Sequence, residues 1–438
     1  MKYFGTDGIR GKAERFTSDF LSAIVKGLVD YAGEDIKVLI GGDTRESSEW
    51  ILADLERALE TFGIEYASVG VLSTPAINYC FYEMGFDFAI DVTASHNPYT
   101  DNGIKIFERG QSSGQKLSDS GCEIIEQSLD NIIKTELVSS TIREDLHFEA
   151  LEIYKTHLKD YIGDVDLSGL KIGLDCANGA TSALNKVVFE EFGAKVNLIH
   201  SDENYGRKIN KNCGSTHLES LQKLVKEKNL DLGIAFDGDG DRCLLIDSKG
   251  EIVDGDQIIA ILTKFLGLNS AVVTVMANQG LINWAKKEKI NLEITSVGDS
   301  NVALAMREKN IELGGEQSGH VILPGESTGD GMLTALLVCK AVVKSQKSFD
   351  ELAGFFEKLP QIMINMEATP AQKELLKTKE EVKKLLLEYN KKIESVSGRL
   401  LVRPSGTENL IRITMWGDDD KKIEKLANGL KKELEEFL

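Results

Sequence analysis

The feature that most narrows the possible folds is a unit that recurs three times. Ile36-Lys37-Val38-Leu39-Ile40-Gly41 is a short, nearly continuous apolar run, the pattern of a strand buried on both faces. A loop of Gly, Asp, Thr, Arg and Ser follows. Apolar residues then fall at helical spacing (Ile51, Leu52, Leu55, Leu59, Phe62) until Gly63, and Ile64 to Val71 supply a second strand. The unit returns as Leu170 to Leu174, a loop at Asn178-Gly179-Ala180-Thr181, a helix ending at Glu190-Glu191-Phe192-Gly193, and a strand from Ala194 to Ile199. It returns again as Ala271 to Val275, Asn278-Gln279-Gly280, a helix through Trp284, and Leu292 to Val297. Strand, glycine loop, helix, glycine stop and strand make a βαβ pattern, so the chain falls in the α/β class. Internal duplication and the ordinary likeness of βαβ units both account for the recurrence.

Further strands are expected at Phe86 to Asp91, Leu230 to Phe236 and Ile104 to Gly110. Residues 366–395 break the pattern: Lys and Glu alternate densely around Leu386-Leu387, which reads as a solvated helix. Two strands, Arg399 to Val402 and Leu410 to Met415, then flank a polar loop, and an amphipathic helix runs from Asp420 to Leu438. This tail is a small α+β module. The division is 1–155, 156–253, 254–365 and 366–438, and 438 residues suffice for that many cores.

Composition removes several functions. There are 51 Lys and Arg against 70 Asp and Glu, a formal charge of −19. A surface that acidic repels nucleic acid and anionic lipid, so neither is an expected partner. No apolar run approaches the ~18 residues of a membrane helix, and the N-terminus lacks the apolar segment of a secretory signal. The 6 cysteines are scattered without a C-x-x-C pair, which suits reduced thiols in a cytoplasmic protein rather than a disulfide frame or zinc ribbon.

Four segments carry chemistry. Asp237-Gly238-Asp239-Gly240-Asp241-Arg242 follows the apolar strand Leu232 to Phe236. Three alternating carboxylates repel one another unless a cation sits among them, and hard oxygen donors suit Mg²⁺. An EF-hand is excluded, because its Gly and Glu positions hold Arg242 and Ser248. Thr93-Ala94-Ser95-His96-Asn97-Pro98 presents a serine at the C-terminal end of a strand, where open α/β sheets bind ligands; without G-x-S-x-G it is no hydrolase elbow. Gly314-Gly315-Glu316-Gln317-Ser318-Gly319-His320 offers donors and acceptors of the kind that read sugar hydroxyls. Arg403-Pro404-Ser405-Gly406-Thr407-Glu408-Asn409-Leu410-Ile411-Arg412 places small polar residues and two arginines around a turn that suits a phosphate, without the Walker A spacing.

These four segments, in this order and with the opening Phe4-Gly5-Thr6-Asp7-Gly8-Ile9-Arg10-Gly11, resemble the α-D-phosphohexomutase superfamily over the whole chain. Gly-Thr-Asp-Gly-Ile-Arg-Gly and the Gln of Gly-Glu-Gln-Ser-Gly-His favour the bacterial branch that acts on glucosamine phosphates; relatives acting on mannose and glucose phosphates more usually have Met at the Gln317 position. The resemblance implies three related α/β domains with mixed sheets and a smaller C-terminal domain around a central cleft. It implies that Ser95 carries a phosphoryl group and that Asp237, Asp239 and Asp241 hold Mg²⁺ together with the phosphoserine oxygen. Arg10 and Lys105 would lie beside the phosphoserine, with Lys105 a base if its surroundings lower its pKa. His320 would be a second proton-transfer group. Arg242, Glu316 and Ser318 would meet the sugar phosphate, and Arg403, Ser405, Gly406, Thr407 and Arg412 its distal phosphate.

The activity so implied interconverts glucosamine 6-phosphate and glucosamine 1-phosphate through a 1,6-bisphosphate, feeding UDP-N-acetylglucosamine and cell-wall precursors. Glucosamine or glucose 1,6-bisphosphate would be an activator, and the chain a monomer or homodimer. A mannose/glucose phosphomutase, a Mg²⁺-dependent phosphatase and a sugar-phosphate sensor are the rival readings. One departure stands out. Where the superfamily usually has Arg or Lys and then Tyr after Gly-Asp in the third domain, this chain has Ser300-Asn301.

Overall fold

The structure, a computed structural model, describes residues 1–111, 113–139, 145–202, 204, 206–405 and 409–438. Each recurring unit builds its own sheet. The first contains β1 (Phe4–Gly5), β2 (Gly8–Lys12), β3 (Lys37–Gly42), β4 (Glu65–Val71), β5 (Phe88–Val92), β6 (Asp101–Arg109) and β7 (Gly114–Lys116). Its order is β1-β2-β6-β5-β3-β4, with β7 paired to β6. The second contains β8 (Lys171–Asp175), β9 (Lys195–Ile199), β10 (Leu232–Phe236), β11 (Cys243–Ile246) and β12 (Ile252–Val253), in the order β12-β11-β10-β8-β9. The third contains β13 (Ser270–Thr274), β14 (Asn291–Thr295), β15 (Gly314–Gly315) and β16 (Val321–Ile322), in the order β14-β13-β15-β16.

One topology underlies all three. The βαβ unit forms a parallel pair (β3/β4, β8/β9, β13/β14). A third strand (β5, β10, β15) joins the free edge of the first in parallel. A fourth (β6, β11, β16) then returns antiparallel. Shared strand order and direction go beyond the likeness of any two βαβ units, and they favour internal duplication. The topology also places the chemistry. The Ser95, Asp237 and Glu316 segments each occupy the turn between the third and fourth strands of their sheet.

Side chains alternate between two cores. Val38, Ile40, Ile90 and Ile106 face one cluster with the helices Ser18–Ala32 and Glu46–Thr61. Leu39, Ala89 and Phe107 face a larger cluster that runs on through Leu174, Ile234, Val273 and Phe356, so one apolar body spans the first three units.

The fourth sheet has order β17-β19-β18, from β17 (Gln361–Glu367), β18 (Arg399–Pro404) and β19 (Leu410–Trp416). The expected single solvated helix over 366–395 is corrected here. Residues 366 and 367 end β17, and two helices follow, Pro370–Thr378 and Glu380–Glu394. Val382, Leu385, Tyr389 and Ile393 of the second helix are buried against Ile411, Ile413 and Leu430. The divisions expected at 155 and 365 fall inside the helix His147–Ile162 and inside β17.

Candidate active site

Ser95 lies just beyond β5 with φ 52°, in the left-handed region that a side chain enters at a cost of about 1 kcal/mol. The neighbouring loop holds it there. Arg45, its side chain wholly buried, donates from Nη2 to the carbonyls of Ser95 (2.8 Å) and Asn97 (2.9 Å). From Nη1 it donates to those of Pro98 (2.5 Å) and Asp101 (2.9 Å). Asp43 orients Arg45 through Nε at 2.8 Å and also accepts from Thr93 Oγ1 at 2.7 Å. Asn210, from the second unit, adds donors to the Ser95 and Asn97 carbonyls at 2.7 and 3.2 Å.

The result is a buried hydroxyl aimed across a domain boundary: Ser95 Oγ donates to Asp237 Oδ2 at 2.7 Å. His96 Nδ1 lies 3.2 Å from the same oxygen. The close approach explains Gly238, because a Cβ there would stand 2.6 Å from the Ser95 carbonyl oxygen.

Asp237, Asp239 and Asp241 are all buried, with ligand oxygens within 4.8 Å of one another. Carboxylates about 4 Å apart repel by ~4 kcal/mol per pair at an effective dielectric of about 20, so the trio requires cations. Lys105 Nζ donates to Asp239 Oδ2 (2.8 Å) and Asp241 Oδ2 (3.0 Å), and lies 3.1 Å from Asp7 Oδ2. Arg242 Nε is 3.7 Å from Asp241 Oδ1, and Arg10 pairs with Asp7. Two oxygens stay unused: Asp239 Oδ1 and Asp241 Oδ1 are buried and accept no hydrogen bond among the described residues. Hard, anionic, unsatisfied oxygens converging on one point fit Mg²⁺.

The same contacts correct the expectation for Lys105. Burial alone would push its ammonium down, but Asp239, Asp241 and Asp7 outweigh burial and hold it well above the usual lysine range. In this arrangement Lys105 is held as a cation among the three carboxylates. Asp237 moves the other way: burial, then Asp241 and Asp239, push its carboxyl well above the usual range.

The third unit closes the other side. His320 forms a backbone bridge to Arg242, and its Nδ1 is 3.7 Å from Asp241 Oδ2. Nε2 accepts from Gly329 N at 3.1 Å, so the ring proton sits on Nδ1, facing the carboxylate. Glu316 Oε1 accepts from Gly298 N at 3.1 Å and lies within electrostatic reach of both Arg242 and Arg403. Ser318 Oγ is buried and has no hydrogen-bond partner among the described residues.

On the fourth sheet Arg403 and Arg412 stand directly opposite each other across β18 and β19. Like charges in that register are unfavourable without an anion between them. Burial and then Arg412 lower the Arg403 guanidinium from its usual value. Ser405 is buried at the end of β18; Gly406 and Thr407 lie outside the described residues. Ser300 and Asn301 supply no charge: Asn301 Nδ2 donates to the Val297 carbonyl at 2.9 Å. The cation at this seam comes instead from Lys116 of the first unit, which pairs with Asp7 (2.5 Å) and Asp299.

Asp7, Asp43, Arg45, Lys116, Asn210 and Asp299 are the parts that sequence reasoning missed. Asp7 and Arg45 had a signal, since each is a charged residue in a glycine-bounded loop beside a strand. Lys116, Asn210 and Asp299 had none, because their partners come from other units.

A buried serine held against a hard-cation carboxylate trio, with fixed cations on one side and an arginine pair on a separate small unit, is equipment for moving a phosphoryl group. The chain is, by this fold and site, a phosphotransferase of the three-sheet α/β kind. Models of the four phosphoglucomutase/phosphomannomutase domains match it in order: alpha/beta/alpha domain I over residues 1–136, domain II over 152–250, domain III over 254–359 and the C-terminal domain over 363–433. The chain belongs to the phosphoglucomutase/phosphomannomutase family. It is 38% identical to the phosphoglucosamine mutase of Clostridium tetani over 452 residues, covering 99% of both chains. It is 41% identical to that of Caldicellulosiruptor saccharolyticus over 446 residues, covering 98% of both. Among solved structures it superposes on a phosphoglucomutase/phosphomannomutase family protein from Burkholderia thailandensis with TM-score 0.77 at 20% identity, covering 98% and 97% of the two chains. For the Aspergillus fumigatus N-acetylphosphoglucosamine mutase solved with GlcNAc-6P and magnesium the TM-score is 0.64 at 16% identity, covering 92% and 84%.

Proposed function

We propose that this chain interconverts glucosamine 6-phosphate and glucosamine 1-phosphate, with Ser95 as the phosphoryl carrier. The 2.7 Å contact between Ser95 Oγ and Asp237 carries the reading, because it unites a nucleophile and a metal trio 142 residues apart in one buried site. Full-length similarity to phosphoglucosamine mutases supports the choice of sugar. Asp237, Asp239, Asp241 and a phosphoserine oxygen would hold Mg²⁺, which when bound supplies charge to polarise the phosphoryl group.

Phosphorylated Ser95 gives its phosphoryl to O1 of the 6-phosphate. The Oγ–P bond breaks, the O1–P bond forms, the O1 proton passes to an acceptor in the cleft, and the freed Ser95 Oγ takes up a proton to become a hydroxyl. The 1,6-bisphosphate then turns over, one phosphate held by Arg403, Ser405 and Arg412 and the hydroxyls by Glu316 and Ser318. The O6–P bond breaks next, the phosphoryl returns to Ser95 Oγ, the Oγ proton leaves to an acceptor in the cleft, and O6 takes up a proton to become a hydroxyl. Lys105, Arg10 and Arg242 steady the negative charge that spreads over the transferring group. Glucosamine or glucose 1,6-bisphosphate would restore a serine that has lost its phosphoryl.

The test combines intact mass with turnover. A phosphoryl adduct mapped to Ser95, absent in Ser95→Ala together with all but a trace of turnover, is the expected result. Normal turnover by Ser95→Ala overturns the carrier assignment. A panel of glucosamine, glucose and mannose 6-phosphates decides the sugar. A tenfold preference in kcat/KM for glucose or mannose, about 1.4 kcal/mol, would install the rival sugar.

A further inference from the structure

A second cluster of ligating side chains lies away from the magnesium trio. Asp175 closes β8, His200 follows β9, and Cys213 lies on the segment that returns toward β10. One ligand atom from each falls within 4.8 Å of the other two. His200 Nδ1 and Asp175 Oδ2 are 2.8 Å apart. Asp175 and Cys213 are fully buried, and the His200 side chain is 30% exposed, so of the three the imidazole is the one that reaches solvent.

The surroundings are built around these atoms. Ala177 N donates to Asp175 Oδ1 at 3.0 Å, leaving Oδ2 to face inward. Asn178 Nδ2 donates toward Cys213 Sγ at 3.7 Å, and the buried thiol itself points at the Lys208 carbonyl at 3.8 Å, so Sγ carries its proton until a cation displaces it. His200 (φ 47°), Ala177 (φ 54°) and Asn178 (φ 50°) all sit in the left-handed region, and the mechanism above uses none of their side chains. Backbone held there at three positions around one cluster costs energy that a ligand can repay.

We propose that Asp175, His200 and Cys213 bind one divalent transition-metal ion of the zinc type, apart from the magnesium site. Thiolate, imidazole and carboxylate together suit zinc or cobalt in a tetrahedral site, with water as the fourth ligand, and are too soft a set for Mg²⁺. Binding expels the Cys213 thiol proton to solvent. The proton that His200 Nδ1 donates to Asp175 Oδ2 also leaves to solvent, and the ring keeps one on Nε2, so that Nδ1 is free for the metal. Affinity therefore rises with pH. The ion would tie the ends of β8 and β9 to the segment holding Asn210, the donor to the Ser95 carbonyl.

Co²⁺ titrated into the full-length protein in excess Mg²⁺ tests this. The expected result is one equivalent bound, with thiolate-to-cobalt charge-transfer absorption and the intense visible bands of four-coordinate Co²⁺. Both should vanish in Cys213→Ser, and affinity should fall at least tenfold in His200→Asn, since asparagine tolerates the left-handed backbone and protects the fold. Asp237→Asn should leave both unchanged. No charge-transfer band, or one that survives in Cys213→Ser and His200→Asn, overturns the site. The readout is spectroscopic, so it stands whichever sugar phosphate the enzyme uses.

Discussion

Ser95 is only as well placed as the carbonyls around it, and Arg45 gathers most of them. Its planar fork reaches four backbone oxygens at once, which a lysine, with one nitrogen on a flexible stem, does not match. Arg45→Lys should therefore lower kcat by about ten- to a hundredfold, roughly 1.4 to 2.7 kcal/mol, with little change in KM, because the Arg45 side chain is wholly buried and engaged by Asp43 and backbone carbonyls. A raised KM with normal kcat would show that Arg45 does not position the nucleophile. A second residue outside the reaction sets a pH dependence. Asp256 is buried beside Asp254, and its carboxyl is pushed up to about 8 by burial first and by that neighbour second. The unfolded chain gives up this proton near pH ~4. Between the two values the folded state binds the extra proton, so stability is greatest below the lower one and declines as pH rises through the upper one. Urea midpoints measured from pH ~5 to ~9 should fall in the parent and fall less in Asp256→Asn; parallel declines would acquit Asp256. At this scale the sequence revealed types better than partners. The Asp237–Asp241 trio and Ser95 stand in short motifs, whereas the charge balance on Lys105 depends on Asp7 and Asp239, 98 and 134 residues away along the chain.

Elements were legible where punctuation and pattern agreed. Gly63 and Gly193 stop helices with φ 71° and 93°, as their place in the repeated unit requires. The buried runs before the loops are β3, β8 and β13. The fourth unit was misread for a physical reason: dense Lys and Glu cover three sides of the helix Glu380–Glu394, and its buried stripe is one residue per turn. β17 was missed because its residues alternate between exposed and half-buried, with only Met366 fully buried. The turn between the third and fourth strands, used three times for chemistry, cannot be seen until pairing is known. That turn is also where the backbone is least forgiving. Gly319 sits at φ 91°, and a Cβ there would meet the Cys243 carbonyl oxygen at 2.1 Å. This contact stitches the sugar loop to β11, since Cys243 N donates to the Gly319 carbonyl at 3.1 Å. Gly319→Ala should cost at least about 2 kcal/mol of stability and raise KM for the sugar phosphate, readable together by thermal unfolding and steady-state kinetics. An unshifted Tm would mean that the turn can relax.

The molecule divides mechanically into two bodies, although it has four sheets. One apolar cluster runs from Leu39 through Leu174 and Val273 to Phe356, binding the first three units into a single core. The fourth unit keeps its own core of Val382, Leu385, Ile411, Ile413 and Leu430. Among the described residues its side-chain hydrogen bonds to the rest include Arg399 Nη2 to the Ala277 carbonyl at 2.5 Å and Gln317 Nε2 to Gln361 Oε1 at 3.3 Å. The joining segment, from Gly354 to Pro360, has no helix or strand. Bodies joined this way turn against each other at small cost, whereas opening the shared core would expose dozens of apolar side chains. Arg403 and Arg412 belong to the smaller body, and Ser95 with the Asp237 trio belongs to the larger one. On the proposed mechanism, a bisphosphate that reverses end for end needs such a relation: the proposed distal phosphate site would let go and re-engage while the reacting centre stays intact. Sugar phosphate should therefore reduce the radius of gyration and slow amide exchange across β18 and the start of β19, leaving β5 and β10 unchanged. Leu385→Ala should lower the stability of the fourth unit alone, by about 2 to 5 kcal/mol, and split the unfolding curve in two. One cooperative transition in that variant, with exchange slowed equally in all four sheets, would mean that the chain moves as a single body and that the intermediate turns by another route.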